Sequence, residues 1–154
     1  MLITTRFELA APLDTAWAYM LDVRKIAHCL PGATLFQVID DRTYEGKIGI
    51  KVGAIEVGYK GRVTIEDMDE SKHTVRIKAQ GAEARDRGGA SATSTAELSA
   101  NGSDTIVVMN TELAVSGLMA QFGRNGIMEE IAQRLAQRFA SCVNQELKAA
   151  PPAP

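Results

Sequence analysis

Residues 44–63 read YEGKIGIKVGAIEVGYKGRV, and they decide the fold. Folded at Gly53-Ala54, this stretch sets Val52 opposite Ile55, Ile50 opposite Val57, Ile48 opposite Tyr59, Gly46 opposite Gly61 and Tyr44 opposite Val63. Each of these pairs is apolar or glycine. The other face pairs Lys51 with Glu56, Lys47 with Lys60 and Glu45 with Arg62. Side chains alternate across a strand, so a one-residue slip would mix the two sets and bury charge. The stretch therefore reads as an antiparallel hairpin with one core face and one solvent face.

The same two-residue period continues on both sides. Upstream, Thr34 to Ile39 reads as a strand and Asp40-Asp41-Arg42 as a turn. Leu2 to Ala10 alternates Ile3, Thr5, Phe7 and Leu9 against Thr4, Arg6 and Glu8, another strand with one apolar face. Between them, Pro12 permits a helix start, and Ala16, Trp17, Met20 and Leu21 follow at helical spacing. Val23 to Cys29 reads as a second short helix. Leu30-Pro31-Gly32 ends it, because proline disfavours the α conformation in the residue before it.

Downstream, strands are predicted from Ile55 to Glu66, Thr74 to Ala82, and Gly88-Gly89 to Ala100. Asn101-Gly102 is a strong hairpin signal. As a two-residue loop it sets Leu98 opposite Thr105, Ala96 opposite Val107, Ser94 opposite Met109, Ala92 opposite Thr111 and Ala90 opposite Leu113. Gly117 closes the last strand. From Ile127 to Leu147 the period becomes 3.6: Ile127, Met128, Ile131, Leu135, Phe139, Cys142 and Val143 form one apolar stripe. The order predicts an α+β fold, a curved seven-stranded antiparallel sheet wrapped on a long C-terminal helix, with two short helices after strand 1. Sheet and helix can bury their apolar faces only against each other. One domain over 1–148 is expected, then a flexible Pro/Ala-rich tail over 149–154.

Composition excludes more than it suggests. Among 154 residues, 17 are Lys or Arg and 19 are Asp or Glu, a net charge of -2 that argues against a general nucleic-acid binder. Aromatics at 5% argue against base-stacking platforms. Cys29 and Cys142 are too few for a disulfide framework and read as small buried apolar residues in a reducing compartment. The opening residues lack a signal-peptide pattern, and no run approaches the ~20 apolar residues of a membrane span. A soluble cytoplasmic protein is expected.

The core face of the sheet carries the functional hint. Gly46, Gly61, Ala90, Ala92, Ser94 and Ala96 are small, and leave volume between sheet and helix. An apolar hollow with few polar groups is the usual form of a small-molecule site. Its predicted lining is Ile48, Ile50, Val57, Tyr59, Ala92, Ala96, Val107, Met109, Leu113 and Val115 from the sheet, with Ile131 and Leu135 from the helix. The competing reading is close helix–sheet packing, which also favours Gly and Ala. Residues 117–126 hold Gly117, Gly123 and Gly126, and a glycine inside a helix weakens it by about 1 kcal/mol relative to Ala. Gly117, Leu118, Met119 and Phe122 are read as an exposed, mobile apolar lip at the mouth, able to touch a membrane; the alternative is a loop with core anchors.

The outer face, with Lys47, Lys51, Lys60, Arg62, Arg76 and Lys78 among glutamates, reads as an ordinary solvated surface. No catalytic residue is nominated. His28, His73, Cys29 and Cys142 lack metal-ligand spacing, so no metal is expected. Glu83, Arg85, Asp86 and Arg87 read as a charged loop at the rim, and no inward-facing carboxylate is expected in the hollow.

Several segments together carry a family resemblance: Pro12-Leu13-Asp14-Thr15-Ala16-Trp17, Cys29-Leu30-Pro31-Gly32-Ala33, Tyr44-Glu45-Gly46, Tyr59-Lys60-Gly61, and Ser116 through Arg124. The chain resembles the CoxG family of carbon monoxide dehydrogenase subunits, within the START-like (SRPBCC) helix-grip superfamily, over residues 1–148. That resemblance implies an accessory protein of a molybdenum-containing carbon monoxide dehydrogenase or related hydroxylase. It further implies a hydrophobic ligand between sheet and helix, a lipid or respiratory quinone with no covalent cofactor, and a peripheral position at the inner membrane face. A START-like enzyme of cyclase or hydrolase type and a ligand-free docking protein are the alternatives. Some relatives extend into an apolar tail. Here the sequence reaches only Pro154, so either the tail is lacking or the sequence stops at the linker.

Overall fold

The computed structural model describes residues 1–122 and 126–149. Strand β1 (Leu2–Leu9) is followed by helices α1 (Leu13–Met20) and α2 (Val23–Cys29). Six strands follow: β2 (Ala33–Val38), β3 (Thr43–Val52), β4 (Ile55–Asp69), β5 (Thr74–Glu83), β6 (Gly89–Asn101) and β7 (Asp104–Val115). A 3-10 helix (Gly117–Phe122) leads to α3 (Ile127–Ala149). The strands form one antiparallel sheet in the order β1-β7-β6-β5-β4-β3-β2. This is the expected architecture. Gly123 of the predicted lip and residues 150–154 of the predicted tail lie outside the described residues.

The β3–β4 register matches the sequence reading pair for pair, from Tyr44 opposite Val63 to Val52 opposite Ile55. The β6–β7 register does not. Leu98 faces Val107, Ala96 faces Met109, Ser94 faces Thr111, Ala92 faces Leu113 and Ala90 faces Val115. The loop is Gly102-Ser103, closed by Asn101 opposite Asp104. Gly102 has φ +64° and Ser103 does not have a positive φ, so glycine occupies the first central position of the turn rather than the second. The shift is two residues, so the faces are preserved and only the partners change. β4 also runs past Glu66 to Asp69, because a bulge between Ile65 and Asp67 absorbs one residue.

Helix α3 runs along β1, the edge of the sheet. The Phe139 ring meets the Phe7 ring edge-on, with centroids 5.6 Å apart. Polar side chains on α3 serve the unpaired edge: Gln133 Nε2 donates to the Thr4 carbonyl at 2.9 Å and Asn144 Nδ2 to the Glu8 carbonyl at 3.2 Å. Asn144 Oδ1 accepts from the Ala10 amide at 2.8 Å. A covered edge cannot template pairing with another chain.

The cysteine reading is overturned. Cys29 on α2 and Cys142 on α3 are joined by a disulfide, with Cα atoms 5.4 Å apart and a sequence separation of 113. The fold brings together two helix faces that no linear spacing connects. The expectation of a reducing compartment rested on unpaired thiols and loses that basis.

Candidate ligand site between sheet and helix

The buried side chains form two groups. The larger, with Phe7, Leu9, Trp17, Ile65, Leu98, Val107, Phe139 and Val143, joins α1, α2 and the C-terminal half of α3 to the sheet. The smaller, with Ile3, Val52, Val57, Tyr59, Met119 and Met128, sits under the start of α3. Between them lies a stretch of the inner sheet face where Ala79 faces Ala92 and Ser94 faces Thr111. These four, and Leu135 on α3, are half-buried and belong to neither group. The close backbone approach of α3 is to β1 and α2. The middle of the inner face is therefore half-buried without being packed into either core. Its polar content is small: the Ser94 and Thr111 hydroxyls satisfy each other at 2.7 Å.

The predicted lining residues divide accordingly. Val57 and Tyr59 are core members of the smaller group, and Ile48, Ile50, Leu113, Val115 and Ile131 pack against it half-buried. Ala96 and Val107 are fully buried in the larger group, with Met109 against it. Ala92 lies in the stretch between, and Leu135 on α3 is half-buried outside both groups. Two grooves are open to solvent elsewhere. One of about 810 Å³ lies on the outer face over Glu45, Arg62, Gln80, Ser91 and Ala114. The other, about 370 Å³, lies between α1, α2 and β3, over Ala18, Leu21, Val23, Val38 and Tyr44. The alternation pattern gives no signal for either, because the first depends on sheet curvature and the second on how the two short helices pack beside β2 and β3.

Two glycine readings change. A Cβ at Gly61 would strike the Gln80 carbonyl and the Gly81 Cα, so this glycine allows β4 and β5 to approach closely rather than hollowing the sheet. Gly46 likewise faces the Thr34 carbonyl. Gly117 has φ +74° and its α-carbon abuts Arg87, while the Leu118 amide donates to the Arg87 carbonyl at 2.8 Å. The start of the segment is thus tied to the loop 84–88. Met119, expected to be exposed, is 1% exposed, and Leu118 and Phe122 are half-buried against the same core group. A turned-back 3-10 helix points its apolar residues at the sheet, which the sequence period over so few residues cannot show.

An inward carboxylate is present after all. Glu83 ends β5 directly opposite Tyr59 and is 3% exposed. Arg87 holds it: Nε donates to Oε1 at 2.8 Å, and the Arg85 and Arg87 amides donate to Oε2. The Arg87 guanidinium bonds, ahead of burial, which acts the other way, hold the Glu83 carboxyl below the usual carboxylate range. The Tyr59 hydroxyl is pushed up by burial and then by the Glu83 charge, so it stays a neutral phenol. Glu83 is saturated with donors and shapes the loop 84–88, where Asp86 adopts φ +59°. It is a poor proton carrier in this setting.

Because its folded value is lowered, Glu83 stabilises the fold fully above the unfolded carboxylate value of about 4.3, and that contribution is lost as pH falls through the lower folded value. Glu83→Gln is expected to lower Tm by on the order of 10 °C at pH 7, by breaking a buried pair. The gap to the wild type should close as pH drops below ~4. Thermal melts of both proteins from pH 7 to pH 3 check this; a gap that stays constant would show that the charge is not responsible.

A family model for CoxG, a carbon monoxide dehydrogenase subunit, matches residues 6–148. The chain belongs to the CoxG family. Among solved structures, this CoxG family member is similar to a conserved protein from Geobacillus kaustophilus, with TM-score 0.83 and 18% identity over 97% of this chain and 96% of that one. It is also similar to a START superfamily protein from Mycobacterium smegmatis, with TM-score 0.65 and 10% identity over 96% and 97%. A third is the ZhuI aromatase/cyclase from Streptomyces, with TM-score 0.64 and 13% identity over 96% and 93%. The fold is START-like. No curated protein matches the chain in sequence. Among the described residues, no helix is long and apolar enough to cross a membrane.

Proposed function

We propose that this CoxG family member holds a hydrophobic small molecule between sheet and helix, and serves a molybdenum-containing carbon monoxide dehydrogenase or related hydroxylase as an accessory protein. The observation that carries the reading is the inner stretch around Ala79, Ala92, Ser94 and Thr111, half-buried on the core face of the sheet yet outside both core groups. It is lined by small and apolar side chains with one self-satisfied hydroxyl pair, the composition of a pocket for an apolar molecule. Family membership supports the link to the hydroxylase. A lipid quinone fits both supports, since it is apolar and accepts electrons. It would also supply the peripheral connection to the membrane face, a role for which the segment 118–122 is badly placed.

The enzyme alternative weakens at Glu83, whose oxygens are already occupied by donors. Native mass spectrometry tests the proposal. Protein purified without detergent or organic solvent is expected to carry an added mass of a few hundred daltons, released by solvent extraction, and the stripped protein should take up a short-chain quinone. Bare protein that also fails to take up the quinone would overturn ligand binding and leave the docking reading.

A further inference from the structure

We propose that reduction of the Cys29–Cys142 disulfide creates a zinc-type metal site, with His28 and Glu146 completing the ligand set. The donors come from two helices. His28 and Cys29 are adjacent at the end of α2, while Cys142 and Glu146 are four residues apart on α3 and so share a face. His28 Nε2 lies 3.1 Å from Glu146 Oε1, and the ligand atoms of His28, Cys142 and Glu146 are all within 4.8 Å of one another. Cys29 is within bonding reach of Cys142 because the two are joined. In tetrahedral zinc sites, sulfur sits about 2.3 Å and nitrogen or oxygen about 2.0–2.2 Å from the metal, so ligand atoms lie roughly 3.3–3.8 Å apart. His28, Cys142 and Glu146 already lie close to that spacing, and Cys29 is held beside Cys142.

The burial gradient suits an ion that enters from solvent. The side chains of His28 and Glu146 are 69% and 46% exposed, Cys142 is half-buried and Cys29 is buried. The Tyr19 hydroxyl, 3.7 Å from Cys29 Sγ, stands where it can donate to a thiolate. While the disulfide is closed, two of the four ligands are absent. A dithiol reductant supplies two electrons and two protons: the S–S bond breaks, two protein thiols form, and the reductant becomes a disulfide. Binding M²⁺ then displaces the two thiol protons, giving two metal–thiolate bonds. Bond and metal exclude each other, and either one clamps α2 to α3.

Cobalt(II) is the probe, because tetrahedral thiolate coordination gives it intense visible bands. Full-length protein reduced with a phosphine under nitrogen is expected to bind one equivalent of cobalt with those bands, and zinc should displace it and raise Tm. Oxidised protein should show neither effect. His28→Ala and Glu146→Ala alter exposed side chains and should fold, yet each should weaken cobalt binding about 10-fold or more. Far-UV circular dichroism of each variant confirms the fold. Reduced wild type without tetrahedral bands would overturn the site. So would unchanged affinity in the double variant H28A/E146A.

Discussion

Ala92→Phe is expected to leave the protein folded while weakening uptake of an apolar ligand about 10–100-fold. Ala92 lies on the inner face between Ala79 on β5 and Leu113 on β7, half-buried and outside both core groups. A phenyl ring there enters the space assigned to the ligand, so the ligand must then be accommodated against added bulk. Forcing extra groups into a filled site costs about 1–3 kcal/mol, which sets the 10–100-fold range. Ala96 is a poorer probe. It is 2% exposed in the larger core group, and a phenyl group there would strain the core itself. Ser91 provides the matched control, since it neighbours Ala92 but points to the outer groove of about 810 Å³. Ser91→Phe should not change affinity. Titration with a short-chain quinone measures all three proteins. If Ser91→Phe weakens binding and Ala92→Phe does not, the ligand lies on the outer face.

The contrast between these neighbours also shows what the sequence made legible. Strict alternation over residues 44–63 specified the faces of β3 and β4, because a one-residue slip puts Lys47 or Lys51 into the core, and the compact turn at Gly53-Ala54 specified the partners. It left the β6–β7 partners two residues out, because a shift of two keeps every side chain on its own face. Only the backbone of Gly102 distinguishes the two loops. Met119 and Glu83 were misread for a related reason. Each sits at or just beyond the end of a strand, where the period stops and direction is set by a turn at Gly117 or by the Arg87 guanidinium. The inner-face candidates came from the period, and the split between core members such as Val57 and bordering residues such as Ala92 came from the path of α3. That path depends on Phe139 meeting Phe7 and on the edge of β1, contacts between opposite ends of the chain.

Loss of the α2–α3 disulfide is expected to cost about 3–5 kcal/mol. The bond closes a loop across a separation of 113 residues. In the chain-entropy description, a loop of about 100 residues restricts the unfolded state by roughly 4.7 kcal/mol, and measured values commonly fall between about 2 and 4. The stabilisation should also be felt locally, since α2 otherwise meets α3 through few groups, among them the exposed His28–Glu146 pair. Cys142→Ala removes a half-buried sulfur, and Cys29→Ala a buried one beside Tyr19, so packing losses should add less than the bond itself. The decisive result is non-additivity. Each single variant breaks the same bond, so the double variant should be little less stable than either single. Reduction of the wild type should lower its stability to a similar level and leave the variants unchanged. Urea unfolding with a metal chelator present measures these values without interference from bound ions. Additive losses, or a wild type indifferent to reductant, would mean that the two sulfurs contribute only as packed side chains.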